Sequence, residues 1–478
     1  MTLRAVPLLL ALACSGCGET GATTTDLGGK SLPVDAPHLA DDGGTADSGL
    51  VPTEGRADAA DGPAGADGLP ATAADRLVEA LGVATHFNWA QSIYTTQYTA
   101  LRQAMVALGV RYYRTGAGTD RGRFVLNDLY KQHGIRGVFN VSQYAQGYHS
   151  QLVPGSAAKI IDALVADGAA GLYAVEGPNE YDHSDRQSWV KELRDYQLEI
   201  YKHVKGSPKL SHVKVGGPSL VTTVLKPQSS QLVGDISDRV DIGVHHHYVP
   251  FGNFHEKGLF QVAQLLANNN YGAGPLLITE TGVCTNTGAS SMCVSEKAQA
   301  KYLPRSAMEI FRQHRDNKLF FYELVDQGAT QGNAAWNWGM IRSDLKPKLA
   351  YHALKNLVGL LAEPKGPAFK PGALDYTLAG GGPDLRQVLL QRSDGRFYLV
   401  LWQAVRSFDD KTKKDLDPPT AQVTVAVEPA AKIRVFRPTP LDAADLTAAS
   451  MPRKVIGSAK TVVLAVPDHL VVVEIDPP

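Results

Sequence analysis

The chain has 478 residues, 44% hydrophobic and 20% charged, with a formal net charge of −1. That length exceeds what one hydrophobic core serves and allows two domains. The balanced charge gives no electrostatic basis for binding nucleic acid or an acidic membrane surface. After the N-terminus no apolar run approaches the ~20 residues that span a bilayer.

The N-terminus reads as a targeting segment. Arg4 supplies a positive charge and Ala5–Ala13 an apolar stretch of signal-peptide length. Cys14-Ser15-Gly16-Cys17 follows and resembles the lipobox of bacterial lipoproteins. Residues 1–17 are therefore expected to direct export, with Cys17 lipidated and Cys14 as the alternative acceptor; plain cleavable secretion is the rival reading. The expected location is the outer membrane or cell surface, or the secreted fraction, with membrane contact only through the lipid. Residues 18–75 are mostly Gly, Ala, Thr, Asp and Pro with few large apolar residues, and the first aromatic of the chain is Phe87. Such a segment cannot bury enough surface to offset its ordering entropy. It is expected to be a disordered, acidic tether.

From residue 76 strand-like and helix-like segments alternate. Strands are expected at Leu81–Phe87, Val110–Arg114, Arg136–Val141, Leu172–Gly177, Val213–Gly217, Val240–Tyr248, Leu276–Thr279 and Lys318–Leu324. Helices are expected at Tyr98–Leu108, Asp128–His133, Ala157–Asp167, Ser188–Lys205, Leu259–Asn268, Glu296–His314 and Leu345–Leu361. This rhythm predicts a (β/α)8 TIM barrel over residues 76–363. A doubly wound open sheet is the runner-up, but Thr85-His86-Phe87-Asn88-Trp89 stands where its Gly-rich phosphate loop belongs. Residues 364–478 change character. Val388–Gln391 and Phe397–Trp402 flank the turn Ser393-Asp394-Gly395, and further strands are expected at Thr420–Val427, Lys432–Phe436, Val462–Ala465 and Leu470–Ile475. These predict a small C-terminal antiparallel β-sandwich, packed on the barrel and not catalytic.

Two strand ends carry the chemistry. Val175-Glu176-Gly177-Pro178-Asn179-Glu180 ends the fourth strand, and Ile278-Thr279-Glu280-Thr281-Gly282 ends the seventh. A lone Glu after an apolar run is ordinarily a solvated strand end. Two glutamates at the same end of one parallel barrel are what a glycosidase uses, one as acid/base and one as nucleophile. The chain from Leu81 to Leu361 resembles the clan A retaining glycoside hydrolases, and the trailing sandwich is similar to that of family 39 relatives.

The resemblance implies that Glu180 is the acid/base and Glu280 the nucleophile. It places Arg114 beside the nucleophile and matches a His-x-Tyr arrangement to His246 and Tyr248. It also matches Lys346-Pro347 and Tyr351, on the approach to the last barrel helix. Asn179 is expected to bind a substrate hydroxyl. Glu176, with the strand parity of Glu180, is a candidate buried partner of Arg114 or a structural ion pair. His86 ends the first strand as a sugar contact or a core histidine. Trp336 and Trp338 are candidate stacking platforms, with Tyr144 and Trp89 as weaker ones. The clan often has Trp at the end of the eighth strand, where this chain has Glu323-Leu324-Val325-Asp326. Of His245, His246 and His247, strand alternation allows at most His245 and His247 to share a metal, and neither metal nor cofactor is expected. Cys284 and Cys293 are expected to form a disulfide beside the nucleophile. The expected activity is retaining hydrolysis of a β-linked polysaccharide or oligosaccharide by a monomer. The rivals are a surface carbohydrate-binding protein on an inactive barrel, and a transglycosylase.

Overall fold

The computed structural model describes residues 71–118, 120–221, 227–248, 259–287, 293–328, 336–363 and 369–478. The expected signal segment, with Cys14 and Cys17, and residues 18–70 lie outside these.

The described chain begins with β1 (Thr72–Ala73), α1 (Ala74–Ala80), β2 (Leu81–Ala84), α2 (Ile93–Thr96), α3 (Tyr98–Leu108), β3 (Tyr112–Gly116) and α4 (Asp120–His133). It continues with β4 (Arg136–Asn140), α5 (Ser156–Leu164), β5 (Leu172–Glu176), α6 (Trp189–Gly206), β6 (Lys214–Val215), α7 (Pro227–Val233) and β7 (Gly243–His246). Then come α8 (Leu259–Tyr271), β8 (Leu276–Thr281), α9 (Glu296–Gln313), β9 (Lys318–Phe321) and α10 (Leu349–Leu361). Strands β2 to β9 pair in parallel in the order β6-β5-β4-β3-β2-β9-β8-β7. A parallel bridge between Gly216 and Ile242 joins the two outer strands and closes the barrel. The amide of Asp241 reinforces it by donating to the Val215 carbonyl at 2.7 Å. The expected barrel is therefore present and the open sheet is not.

Strand alternation sorts the side chains. Val138, Ala174, Val244, Leu277 and Phe320 form one cluster inside the barrel, while Val83, Tyr113, Phe139, Val175 and Ile278 pack outward against the helices. The inward series runs on towards the C-terminal mouth as Arg114, Glu176 and His246.

Some elements differ from expectation. Helix α4 starts at Asp120, eight residues before the expected Asp128, because its amphipathic face already includes Val125 and Leu126. Helix α7 was not expected, since its sequence Pro-Gln-Ser-Ser-Gln-Leu-Val carries little apolar periodicity. Helix α10 starts at Leu349 and not Leu345, whose φ of 66° is incompatible with a helix.

The C-terminal domain holds β10 (Asp375–Gly380), β11 (Leu385–Gln391), β12 (Phe397–Gln403), β13 (Phe408–Asp409), β14 (Lys414–Asp415), β15 (Ala421–Phe436), β16 (Pro452–Val466) and β17 (Val471–Asp476). Strand β15 is continuous but has a register break between Ala426 and Ala431. Its first half pairs β10 and its second half pairs β17, so one strand serves both layers of the sandwich. Strand β12 is buried along its whole length. One face, Leu399 and Leu401, joins the sandwich core, and the other, Tyr398, Val400 and Trp402, joins the barrel core. Trp402 donates to Glu309 of α9 at 3.0 Å, and buried Lys301 pairs with Asp468 at 2.8 Å.

Residues 71–75, expected to belong to the tether, are part of the fold. Strand β1 pairs in parallel with β11 of the C-terminal domain, and Ala71, Ala73, Ala74 and Asp75 are buried. Small residues gave no hydrophobic signal here, yet they fit a narrow seam. Asp75 is fully buried, accepts from Arg111 at 2.5 and 2.7 Å, and accepts from the Glu363 amide at 2.8 Å. It therefore ties α1 to the start of β3 and the end of α10. Asp75→Ala leaves that amide and a guanidinium short of an acceptor, and is expected to destabilise by ~2–3 kcal/mol. Thermal denaturation of the variant checks this; an unchanged melting temperature would remove Asp75 as an anchor.

Candidate active site

The site lies at the C-terminal mouth of the barrel. Arg114, at the end region of β3, is its organising cation. Its Nε and Nη2 donate to the two oxygens of Glu176 at 2.9 and 3.0 Å, and its Nη1 donates to Glu280 at 2.6 Å. Nη2 also donates to the Asn179 side-chain oxygen. Glu176 is fully buried, and Thr279 donates to it at 3.1 Å. Of the two readings of Glu176, the buried partner of Arg114 is the observed one. Burial alone would lower the Arg114 pKa, but the charges of Glu176 and Glu280 outweigh it and raise it.

Thr279 and Glu280 are adjacent yet both reach this network. In a regular strand they would face opposite ways. The pairing of β8 slips between His245 and His246 on one side and between Ile278 and Thr281 on the other. This bulge turns Glu280 inward beside Thr279. Gly282 then lets two strands approach: a Cβ there would lie 2.2 Å from the Tyr322 carbonyl oxygen. Glu280 is 7% exposed, and its second oxygen accepts from Tyr248 at 2.7 Å.

Glu180 lies opposite. Gly177 cannot be replaced cheaply, since a Cβ would meet the Pro218 backbone at 2.9 Å. The chain passes through that close approach and reaches Glu180 with φ 45° and ψ 38°, a left-handed conformation uncommon outside Gly. Such strain is found where a side chain is held for function. Its amide donates to the Ser219 carbonyl at 2.9 Å. Its carboxyl oxygen lies 2.8 Å from Nδ1 of fully buried His246, which is itself 3.7 Å from Glu280. One ligand atom each of Glu180, His246 and Glu280 lie within 4.8 Å of one another.

That spacing would admit a metal ion, but both oxygens of Glu280 are already held by Arg114 and Tyr248, and Glu180 is held by His246. His245 and His247 face away on the other side of β7, buried, with ring centres 5.6 Å apart. Burial pushes the His247 ring down to about 4.

Burial pushes the Glu180 carboxyl up, but the hydrogen bond and charge of His246 outweigh it and hold it below its ordinary value. Burial favours neutral His246, yet the charge of Glu280 and the bond to Glu180 raise it. Their contact thus favours a proton on the imidazole over one on the carboxyl, and the two groups titrate as a pair.

The remaining wall is aromatic. Tyr322, Trp338 and Tyr248 meet edge to face, with ring centres 5.3 Å (Tyr248–Trp338) and 6.0 Å (Tyr322–Trp338) apart. They pack on the Cys284–Cys293 disulfide, which is formed as expected. Trp338 is only 3% exposed and supports the other two rings, whereas Trp336 is 39% exposed and outside this cluster. His86 stacks on Trp89 at 3.8 Å and lies 3.1 Å from the Tyr322 hydroxyl. Burial and the charge of Arg114 push His86 down to about 3, so it is a neutral hydrogen-bonding ring. Tyr144 stacks on Tyr181 at 5.9 Å.

Three solved structures share this architecture. A family 39 enzyme from Xanthomonas axonopodis pv. citri superposes with a TM-score of 0.58 at 16% identity, covering 86% of this chain and 96% of its own. A family 39 glycoside hydrolase from Bacteroides cellulosilyticus WH2 gives 0.57 at 15%, covering 85% and 83%. A glucosidase from Croceicoccus marinus gives 0.56 at 11%, covering 86% and 97%. The chain has the fold of these hydrolases. No protein-family profile and no curated protein matches the sequence.

Sequence reasoning missed three participants. Tyr322 was hidden in the aromatic run Phe320-Phe321-Tyr322, which reads as core. Tyr148 accepts from the Asn179 amide at 2.8 Å, from a loop with no pattern of its own. Glu323, noted only as a departure, is fully buried behind Tyr322, accepting from Tyr94 at 2.7 Å and from Gln327 at 2.9 and 3.0 Å.

Burial pushes Glu323 up to about 8 despite those donors. Between its unfolded value and about 8, the folded protein binds the extra proton, so this group's contribution to stability falls as pH rises through that window. Glu323→Gln removes the titration. The variant is expected to gain melting temperature relative to the unaltered protein at pH 8 more than at pH 5. A pH-independent difference would rule out a buried, neutral Glu323.

Proposed function

We propose that this protein is a retaining glycoside hydrolase acting on a β-linked polysaccharide or oligosaccharide. The observation that carries this reading is the placement of Glu180 and Glu280 at one barrel mouth with carboxyl oxygens within 4.8 Å. Retaining enzymes hold the two carboxyls about 5–5.5 Å apart, and inverting ones leave about 6.5–9.5 Å for a water. Ionised Glu280, fixed by Arg114 and Tyr248, attacks the anomeric carbon. The proton of the Glu180–His246 pair moves along their 2.8 Å contact to Glu180 and on to the leaving oxygen.

Once Glu280 is esterified, the charge that raised His246 is gone, and Glu180 is left as the base. It takes a proton from water, the hydroxide attacks the anomeric carbon, and Glu280 leaves ionised. The pair regains its proton in the same step. Asn179 keeps one amide hydrogen for a sugar hydroxyl, since its oxygen is held by Arg114 and its nitrogen donates once to Tyr148. Transglycosylation uses the same residues with a sugar in place of water. The location we infer is extracytoplasmic, through the signal and Cys17.

Because the essential proton resides on a pair whose imidazole is raised, the alkaline limb of kcat/KM is expected above about pH 6.5. A panel of β-linked gluco-, galacto-, manno- and xylo-oligosaccharides, followed by a pH profile on the substrate that is cleaved, tests both points. No cleavage of any β-glycoside, or activity lost already below pH 6, would count against the reading.

A further inference from the structure

The outer face of helix α4 carries a second cleft, which shares no residue with the catalytic mouth. Its volume is about 410 Å³, and it is lined by residues of α4 between Asp120 and Gln132 and by Asp167 from the segment after α5. That size is in the range of ligand sites. Phe124 stands in the cleft with 47% of its surface exposed. A single exposed apolar residue is ordinary on a protein surface. This one is held in place. The Arg121 guanidinium lies over the ring at 5.0 Å, and Tyr98 meets it at 60° with ring centres 5.4 Å apart. Tyr98 is itself fixed, since its hydroxyl donates to Asp128 at 2.6 Å. The phenyl ring is therefore set before any ligand arrives, and binding costs it little side-chain entropy.

Polar groups follow at helical spacing. Asn127 and Lys131 lie three and seven residues beyond Phe124, on the same face, and the stretch from Phe124 to Lys131 covers about 10 Å of the helix axis. Asn127 donates to the Arg123 carbonyl at 2.9 Å, which leaves its side-chain oxygen to accept. Lys131 and Gln132 add donors. The charges of the cleft are largely matched. Arg123 pairs with Asp120 at 2.9 Å and with Asp167 at 3.2 Å, and Asp128 pairs with Arg102 at 2.9 Å. A charged ligand therefore gains little there. An apolar ring bordered by hydrogen-bonding groups suits a pyranose, whose C–H face is apolar and whose rim carries hydroxyls. We infer that this cleft is a surface binding site for a neutral glycan chain, separate from the catalytic mouth. The choice of a glycan rests on the glycosidase reading, but binding requires no hydrolysis.

Affinity electrophoresis of the full chain tests the site, with Glu280→Ala as the background so that the polymer stays intact. Gels containing soluble β-glucan, galactan, mannan or xylan are compared with gels containing polygalacturonate. At least one neutral polymer is expected to retard Glu280→Ala. Adding Phe124→Ala should weaken that binding about 10-fold, the range for losing a central aromatic contact, whereas adding Phe124→Trp should keep it. In the otherwise unaltered protein, Phe124→Ala should raise KM on the same polymer and leave kcat/KM on a small aryl β-glycoside unchanged. No retardation by any neutral polymer, or equal affinity with and without Phe124, would overturn the site. So would Phe124→Trp behaving like Phe124→Ala, stronger Phe124-dependent binding of polygalacturonate, or a loss on the aryl glycoside equal to that on the polymer. Phe124-dependent retardation of a protein that cleaves no glycoside would instead reject the glycosidase reading and keep the site.

Discussion

Glu280→Ala is expected to abolish hydrolysis, a loss of about 10^4-fold or more, equivalent to ~5 kcal/mol of transition-state stabilisation. Sodium azide should restore turnover of activated β-glycosides and give the α-glycosyl azide. The reason is geometric: removing the carboxylate leaves a hole on the face opposite Glu180, framed by Arg114 and Tyr248. A small anion can enter it and attack once. Glu180→Ala should behave differently. Substrates with good leaving groups need little protonation and should still glycosylate Glu280, but the ester should persist because no base activates water. Azide should then release the β-glycosyl azide. Proton NMR of the products distinguishes the two roles. Reversed anomers would exchange the assignments, and full activity in both variants would leave the carbohydrate-binding reading in front.

Arg114→Met should carry the largest stability effect in the site. Arg114 is 6% exposed, and the fully buried Glu176 faces it through two hydrogen bonds. Removing one partner of a buried pair leaves an uncompensated charge and costs about 3–5 kcal/mol. Activity should fall as well, since Glu280 and Asn179 lose the same guanidinium. The double variant Arg114→Met/Glu176→Gln separates these effects. It removes the stranded charge, so much of the lost melting temperature should return while activity stays low, and a double-mutant cycle should show strong coupling. Additive losses would mean that Glu176 is held by something other than Arg114.

Much of this site was legible because barrels impose order on sequence. An apolar strand that runs out in a Glu places its carboxyl at the mouth, and strand parity put Glu176 on the face of Glu180 and left His246 off the face shared by His245 and His247; the places of Arg114, His246 and Tyr248 came from the family resemblance. What was not legible depended on breaks in that order. The bulge that brings Thr279 and Glu280 to one face leaves no mark in Leu-Leu-Ile-Thr-Glu-Thr. Tyr322 follows two phenylalanines that serve the core, so composition could not single it out. Glu323 has the spelling of a solvated strand end and is instead fully buried, with Tyr94 and Gln327 supplying its hydrogen bonds. Residues 71–75 are nearly all small, and Thr72 and Ala73 among them pair with a strand more than 300 positions away, Leu385–Gln391; only tertiary packing makes them structure.

The most direct measurement is to trap the nucleophile. The protein is incubated with 2-deoxy-2-fluoro β-glycosyl fluorides of the sugars it cleaves, in which the electron-withdrawing fluorine slows both steps and the fluoride leaving group spares the first. It is then digested and its peptides are mapped by mass spectrometry. A single sugar ester on Glu280, lost from the Glu280→Ala variant, is the expected result. An ester on Glu180, or turnover of the parent sugar with no ester on any carboxylate, would contradict a double displacement through Glu280.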